Sequence, residues 1–296
     1  MHNRRLTLLL AVAVTAAVVA CGAEERASNH AEAAVAQPQS QAQVALPAAN
    51  EEARARLDGS PRHGEWMKYD AGSGDSVTAW IVYPERSDTA PVVLVIHEIF
   101  GLSDWIRGVA DQLAAEGFIA IAPDLLSGKG PGGGGTDSVD RDGAVRLVRS
   151  LDANEVKLRL DAAAEYAMAL PAARRAFATI GFCWGGSTSF RYATVQPNLG
   201  AAVVYYGSSP SAEALAAVEA PVLGLYGGDD ARVNATIEPA DATMKQLGKR
   251  YEYHIYDGAG HGFLRQQSGR EGANLLATQQ AWPTTVAFLK AGLGDG

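Results

Sequence analysis

The chain has 296 residues, 47% of them hydrophobic, enough for one sizeable core. Its net charge is -8 and no long basic run occurs, which excludes electrostatic binding of nucleic acid as a main activity. Two cysteines, Cys21 and Cys183, are too few for a disulfide framework.

The first 20 residues read as an export signal rather than as part of a fold. Arg4 and Arg5 precede an apolar run over 6–20 that is too short for a stable membrane span. That run ends Val18-Val19-Ala20-Cys21, which resembles the lipobox of bacterial lipoproteins. The resemblance implies cleavage before Cys21, lipid on its sulfur, and a periplasmic or cell-envelope protein held to a membrane only by that anchor. An ordinary secretory signal and an uncleaved anchor are the alternatives. If Cys21 carries lipid, Cys183 is the one free thiol left. Residues 21–62, rich in Ala, Gln, Glu and Asn, have too few large apolar side chains to offset their ordering entropy. They read as a flexible tether, helical in part over 51–57, ahead of one domain over 63–294.

Within that domain short apolar runs alternate with helical stretches. Residues 65–69 and 77–83 predict an opening antiparallel pair of strands. The β-branched run Pro91-Val92-Val93-Leu94-Val95-Ile96 predicts a central parallel strand buried on both faces. A helix over 102–116 follows, then a strand over 118–122 stopped by Pro123. The glycine-rich loop over 130–135 lacks the Gly-Lys-Ser/Thr of a phosphate-binding loop and reads as a mobile loop near the mouth of the site. One or two helices over 140–170 lead to a strand over 176–182 and a helix from 187. Strands over 201–206, 221–226 and 251–256 alternate with helices over 212–218 and 237–249. A closing helix over 274–289 is expected to break or bend at Pro283. The alternation predicts a mostly parallel central sheet with helices on both faces, and a site at the carboxyl ends of its strands.

Three residues fall in loops just past such ends. Gly181-Phe182-Cys183-Trp184-Gly185 joins a strand to a helix with the spacing of a nucleophile elbow, carrying cysteine where serine is usual. Gly227-Gly228-Asp229-Asp230 and Gly260-His261-Gly262 supply an acid and a histidine in the order that the α/β-hydrolase fold uses. Each alone reads equally well as a turn. Together they predict a triad in which His261, oriented by an aspartate, takes the Cys183 proton and a thioester acyl-enzyme forms. Spacing alone does not separate Asp229 from Asp230. The oxyanion would meet the backbone N–H groups of Trp184 and, from the loop after the central strand, Ile99. His97 and His254 read as packing or framing residues.

These motifs, with Glu98-Ile99-Phe100-Gly101 upstream, resemble the dienelactone hydrolase family over roughly residues 64–292. The resemblance implies hydrolysis of carboxylic esters or lactones, with Asp230 as the acid and Glu98 as a base that holds the thiol at rest until substrate arrives. It also implies arginines for a substrate carboxylate: Arg265, four residues after the histidine, and one of Arg141, Arg146 and Arg149, of which Arg146 is taken here. No metal or cofactor is expected. The export signal and the loop over 130–135 depart from the family pattern. A thioesterase or acyltransferase on the same triad, or a non-catalytic envelope binding lipoprotein, are the alternatives.

Overall fold

Short apolar runs between amphipathic stretches can bury themselves as a sheet covered on both faces. Residues 45–294, the part of the chain that the computed structural model describes, are arranged in that way. The signal, Cys21 and the first part of the tether lie outside the described residues. The strands are β1 (Gly64–Asp70), β2 (Ser76–Val82), β3 (Ala90–Ile96), β4 (Ile119–Pro123), β5 (Ala173–Phe182), β6 (Ala202–Tyr205), β7 (Val222–Gly227) and β8 (Tyr251–Tyr256). They form one sheet in the order β1-β2-β4-β3-β5-β6-β7-β8. The β1–β2 hairpin pairs antiparallel, β2 meets β4 antiparallel, and every later pairing is parallel.

The helices are α1 (Ala53–Asp58), α2 (Asp104–Ala115), α3 (Arg141–Ser150), α4 (Ala153–Met168), α5 (Trp184–Ala193), α6 (Ala212–Leu215), α7 (Ala231–Asn234), α8 (Ile237–Gln246) and α9 (Ala273–Leu293). All of β3 is buried, and its alternating side chains feed two cores. Val93 and Val95 pack with Trp105 of α2 and Trp282 of α9. Val92, Leu94 and Ile96 pack on the other face with Leu160 of α4, Phe190 of α5 and Met244 of α8. The chain leaves β3 toward β4 on one side and later returns to β5 on the other. That reversal opens a crevice above the carboxyl ends of β3 and β5, the place where such sheets hold their ligands.

Three expectations are corrected. The tether does not extend to residue 62: Ala48, Ala49 and Ala53 are buried, and Trp105 Nε1 donates to Ala48 O at 3.2 Å. Small alanines, weak as a hydrophobic signal, suffice to seat this segment against α2. The loop over 130–135 is tied down rather than free. The Asp124 carboxylate, at the end of β4, accepts from the N–H and hydroxyl of Thr136 at 2.7 Å each. Thr136 Oγ1 in turn accepts from Leu102 N at 2.9 Å. Finally, α9 continues through Pro283, because Ala277, Ala281, Trp282, Val286 and Leu289 bury one stripe on both sides of it. The short helix α7, directly after Asp230, has no counterpart in the sequence reading.

Candidate active site

The nucleophile elbow is steric in origin. Cys183 ends β5 at φ 57°, a left-handed conformation that a side-chain-bearing residue keeps only when its surroundings force it. A Cβ on Gly181 would lie 1.9 Å from Gly185 O, and one on Gly185 would lie 2.3 Å from Ile96 O. Both contacts are to backbone, so neither can be relieved by a rotamer change. Gly181→Ala is therefore expected to lower stability by about 3 kcal/mol, the upper range for overpacking a tight interior. Urea denaturation would measure this; a loss under about 1 kcal/mol would mean that the elbow can relax.

His261 Nδ1 donates to Asp230 Oδ2 at 2.5 Å, which fixes the ring tautomer and leaves the other nitrogen for a second partner. Asp230 is buried, whereas Asp229 is exposed and pairs with Arg270 at 2.7 Å. The structure thus brings Asp230 and not Asp229 to the histidine. Burial opposes charge on His261, but the hydrogen bond it donates to Asp230 and its interaction with Cys183 outweigh it and push the imidazole up to about 9. Asp230 is held below its ordinary value: burial acts against this, and the hydrogen bond from His261 prevails.

The raised histidine value sets the sign of the pH dependence of stability. His261 binds its proton more tightly folded than unfolded, so its contribution is complete below about 6.5 and is lost as pH rises through about 9. The stability advantage of wild type over His261→Ala is expected to shrink across that window in urea melts. An advantage that grew with pH would reverse the assignment.

Glu98 follows β3 and is buried, with only 4% of its side chain exposed. Arg265 Nε stands 2.8 Å from its Oε2, an ion pair whose N–H is not aimed along a hydrogen bond. Burial raises the Glu98 carboxyl above its ordinary value, with Arg265, His261 and Arg141 offsetting part of the rise. The Arg141 guanidinium lies 3.5 Å from the Phe100 ring centroid, and that of Arg265 lies 5.3 Å from it. Phe100 therefore carries two cations beside Glu98. Arg146, the arginine expected from the sequence, is exposed on α3, and among the described residues the cations paired with Phe100 and Glu98 are Arg141 and Arg265 instead. Arg141 starts the helix and so reaches the loop, while Arg146 lies more than one turn further along it.

Ile99 sits in the turn closed by Gly101 N donating to Glu98 O at 3.3 Å. Among the described residues the N–H groups of Ile99 and Trp184 donate to no other group, which leaves both free for an oxyanion. His97 frames them: its Nδ1 donates to Glu98 O at 2.7 Å and its ring stacks on Trp184 with centroids 5.5 Å apart. Burial keeps it below its ordinary value, hence neutral. Tyr206, which sequence reading passed over, packs its ring on His261 with centroids 5.1 Å apart. It follows β6, which ends at Tyr205, whereas the apolar run predicts a strand through 206 and so counts the residue as core. A cleft of about 740 Å³ lies by Trp66, Lys68, Asp124 and Thr136 and is lined by none of Cys183, Asp230 and His261. Volume does not locate the chemistry here; the paired side chains do.

An eight-stranded, mostly parallel sheet with this elbow defines an α/β-hydrolase. The model of the dienelactone hydrolase family matches residues 77–293, and the chain belongs to that family. A candidate carboxymethylenebutenolidase of Salmonella typhimurium is 33% identical over 222 residues, covering 71% of this chain and 80% of its own. The crystal structure of a candidate dienelactone hydrolase from Klebsiella pneumoniae is 28% identical with a TM-score of 0.68, covering 77% of this chain and 98% of its own. A dienelactone hydrolase-like promiscuous phosphotriesterase from metagenomic libraries shares the fold at 23% identity and TM-score 0.66, covering 79% of this chain and 99% of its own. The protein is accordingly a hydrolase of carboxylic esters or lactones.

Proposed function

We propose that this chain hydrolyses small carboxylate-bearing esters or lactones by nucleophilic catalysis at Cys183, through a thioester, from the cell envelope. The observation that carries the reading is the pairing of His261 with buried Asp230 beside a cysteine held in a strained turn. Protonated His261 stabilises a sulfur anion, which attacks the substrate carbonyl carbon. The carbonyl oxygen takes the negative charge and lies against the N–H groups of Trp184 and Ile99. As the tetrahedral intermediate collapses, the ester oxygen leaves with the proton of His261 and the acyl group stays on sulfur. Acylation removes the sulfur charge that helped to hold the His261 proton, so the imidazole becomes a base again. It takes a proton from water, the resulting hydroxide attacks the thioester, and carboxylate and thiolate are released.

Arg141 and Arg265 flanking Phe100 support a carboxylate on the substrate. A substrate carboxylate that drew Arg265 away from Glu98 would leave Glu98 free to accept the thiol proton. The test compares p-nitrophenyl acetate with an enol-lactone that carries a carboxylate. The lactone is expected to show the higher kcat/KM, and Arg141→Ala to raise its KM about ten-fold, the scale of one charged hydrogen bond, while sparing the neutral ester. An equal effect on both substrates would remove the carboxylate from the account.

The N-terminal segment completes the proposal: Cys21 carries lipid and residues 22–44 link it to the domain. Cys21→Ser is expected to release the protein from the membrane fraction, and unchanged fractionation would count against the anchor.

A further inference from the structure

Two residues with side chains stand at positive φ at the carboxyl ends of neighbouring strands: Cys183 at 57° after β5, and Tyr206 at 41° after β6. The strands are paired up to that point, where Cys183 N donates to Tyr205 O at 3.0 Å and Tyr206 N donates to Leu225 O at 2.9 Å. Strain of this kind persists where the surrounding structure over-determines it, and such residues cluster at working sites. At Cys183 the return is a half-buried thiol set at the strand end. At Tyr206 the ring fills the core, but the hydroxyl gains no partner there. A glycine would take the turn without strain, and the tyrosine is instead fully buried with its hydroxyl bonded to no protein group. Its neighbour makes the contrast. Tyr205 has an ordinary strand conformation, and its hydroxyl is paired with Thr285 Oγ1 at 2.7 Å.

The Tyr206 ring is fixed from several sides. Phe263 lies edge-on at 5.5 Å between centroids, Phe182 at 6.4 Å and the imidazole of His261 at 5.1 Å. A hydroxyl held this firmly, dry and without a partner is a donor waiting for an acceptor that the resting site does not present. Its place in the sheet points to the acceptor: Cys183 stands at the end of the adjoining strand, paired through its N–H to Tyr205 O, and the Tyr206 ring lies against His261. After burial, which lifts the phenol well above its ordinary range, Glu98 and Cys183 are the next largest causes. Glu98 already has Arg265 at 2.8 Å. Among the described residues no side chain other than His261 is a candidate donor to the sulfur, and the hydroxyl of Tyr206 is the unpaired one beside it.

We propose that Tyr206 is a further catalytic residue, whose hydroxyl donates a hydrogen bond to the Cys183 thiolate as a second donor beside His261. The inference rests on Cys183 being the nucleophile. It adds a second donor, so that the thiolate survives when substrate or Glu98 perturbs the His261 pairing. No proton is transferred: Tyr206 keeps its hydrogen throughout, and the bond is lost when the sulfur is acylated, which favours return of the free thiolate on hydrolysis.

The test uses the full chain as wild type, Tyr206→Phe and Tyr205→Phe. Alkylation of Cys183 by iodoacetamide is followed against pH by peptide mass spectrometry, with the acylation rate by p-nitrophenyl acetate and thermal melting measured alongside. Tyr206→Phe is expected to move the alkylation midpoint up by about one pH unit and to slow acylation about ten-fold, the scale of one hydrogen bond to a charged group. Its melting temperature should hold or rise, because an unpaired buried oxygen has been removed. Tyr205→Phe should do the reverse, lowering the melting temperature while leaving the alkylation profile in place. An unchanged profile and acylation rate in Tyr206→Phe would overturn the proposal, as would an equal shift in Tyr205→Phe, which would indicate general loosening. Wild type that is neither alkylated nor acylated at Cys183 would defeat the nucleophile reading itself, a separate and distinguishable failure.

Discussion

Cys183→Ala is expected to lower kcat/KM for any ester substrate by about 10⁴-fold or more, with no comparable loss of stability. On the proposed mechanism the N–H groups of Trp184 and Ile99 and the two arginines beside Phe100 stay, but no group is left to form the covalent intermediate. His261→Ala should cost nearly as much, and the double variant little more than either single one, because residues that act as a unit do not contribute additively. Steady-state assays of the three variants check this. Losses that multiplied in the double variant would mean that the two side chains work independently. Cys183 is only half-buried at the end of β5, and the elbow geometry is imposed by Gly181 and Gly185 rather than by the thiol.

The second large effect concerns the Glu98–Arg265 pair. Arg265→Ala leaves a nearly buried carboxylate with no other cation within 4 Å among the described residues, which is expected to cost about 3 kcal/mol at neutral pH. The sign of the pH dependence follows from the direction of the Glu98 shift. Its folded value already stands above the ordinary 4.5, so the protonated form is the one that favours folding. Removing Arg265 lifts that value further. The variant should thus approach wild-type stability near pH 4 and fall behind progressively as pH climbs through the raised value. Urea melts at both ends of the range would show it. A gap independent of pH would mean that Arg265 matters through packing on Phe100 and not through its charge.

Much of this arrangement can be read from the chain because the elements concerned have strong local causes. Val92 to Ile96 can satisfy its apolar side chains only between two helical layers, and glycines at 181 and 185 are demanded by backbone contacts under 2.5 Å. The order Cys183, Asp230, His261 places three chemistries past three strand ends before any coordinates exist. What stayed hidden depends on contacts between distant segments. Nothing local separates Asp229 from Asp230; burial of one and the Arg270 partner of the other do. Arg141 and Arg146 differ only by their place on α3 relative to Phe100, a residue 41 positions upstream of the first of them. Ala48, Ala49 and Ala53 look like tether until α2 is there to receive them. Tyr206 was missed for a different reason: a tyrosine after a strand reads as core, and its strain and its idle hydroxyl exist only in three dimensions.

The central claim is that Cys183 is the covalent nucleophile, and the most direct measurement is to trap the intermediate. Wild-type protein would be mixed with an excess of p-nitrophenyl acetate, quenched in acid within the first turnovers, digested and examined by mass spectrometry. An acetyl group is predicted on the peptide carrying Cys183, hydroxylamine-labile as a thioester is, formed at the rate of the p-nitrophenol burst and absent from Cys183→Ala. Full turnover with Cys183 unmodified at every quench time, or an undiminished rate in Cys183→Ala, would contradict it.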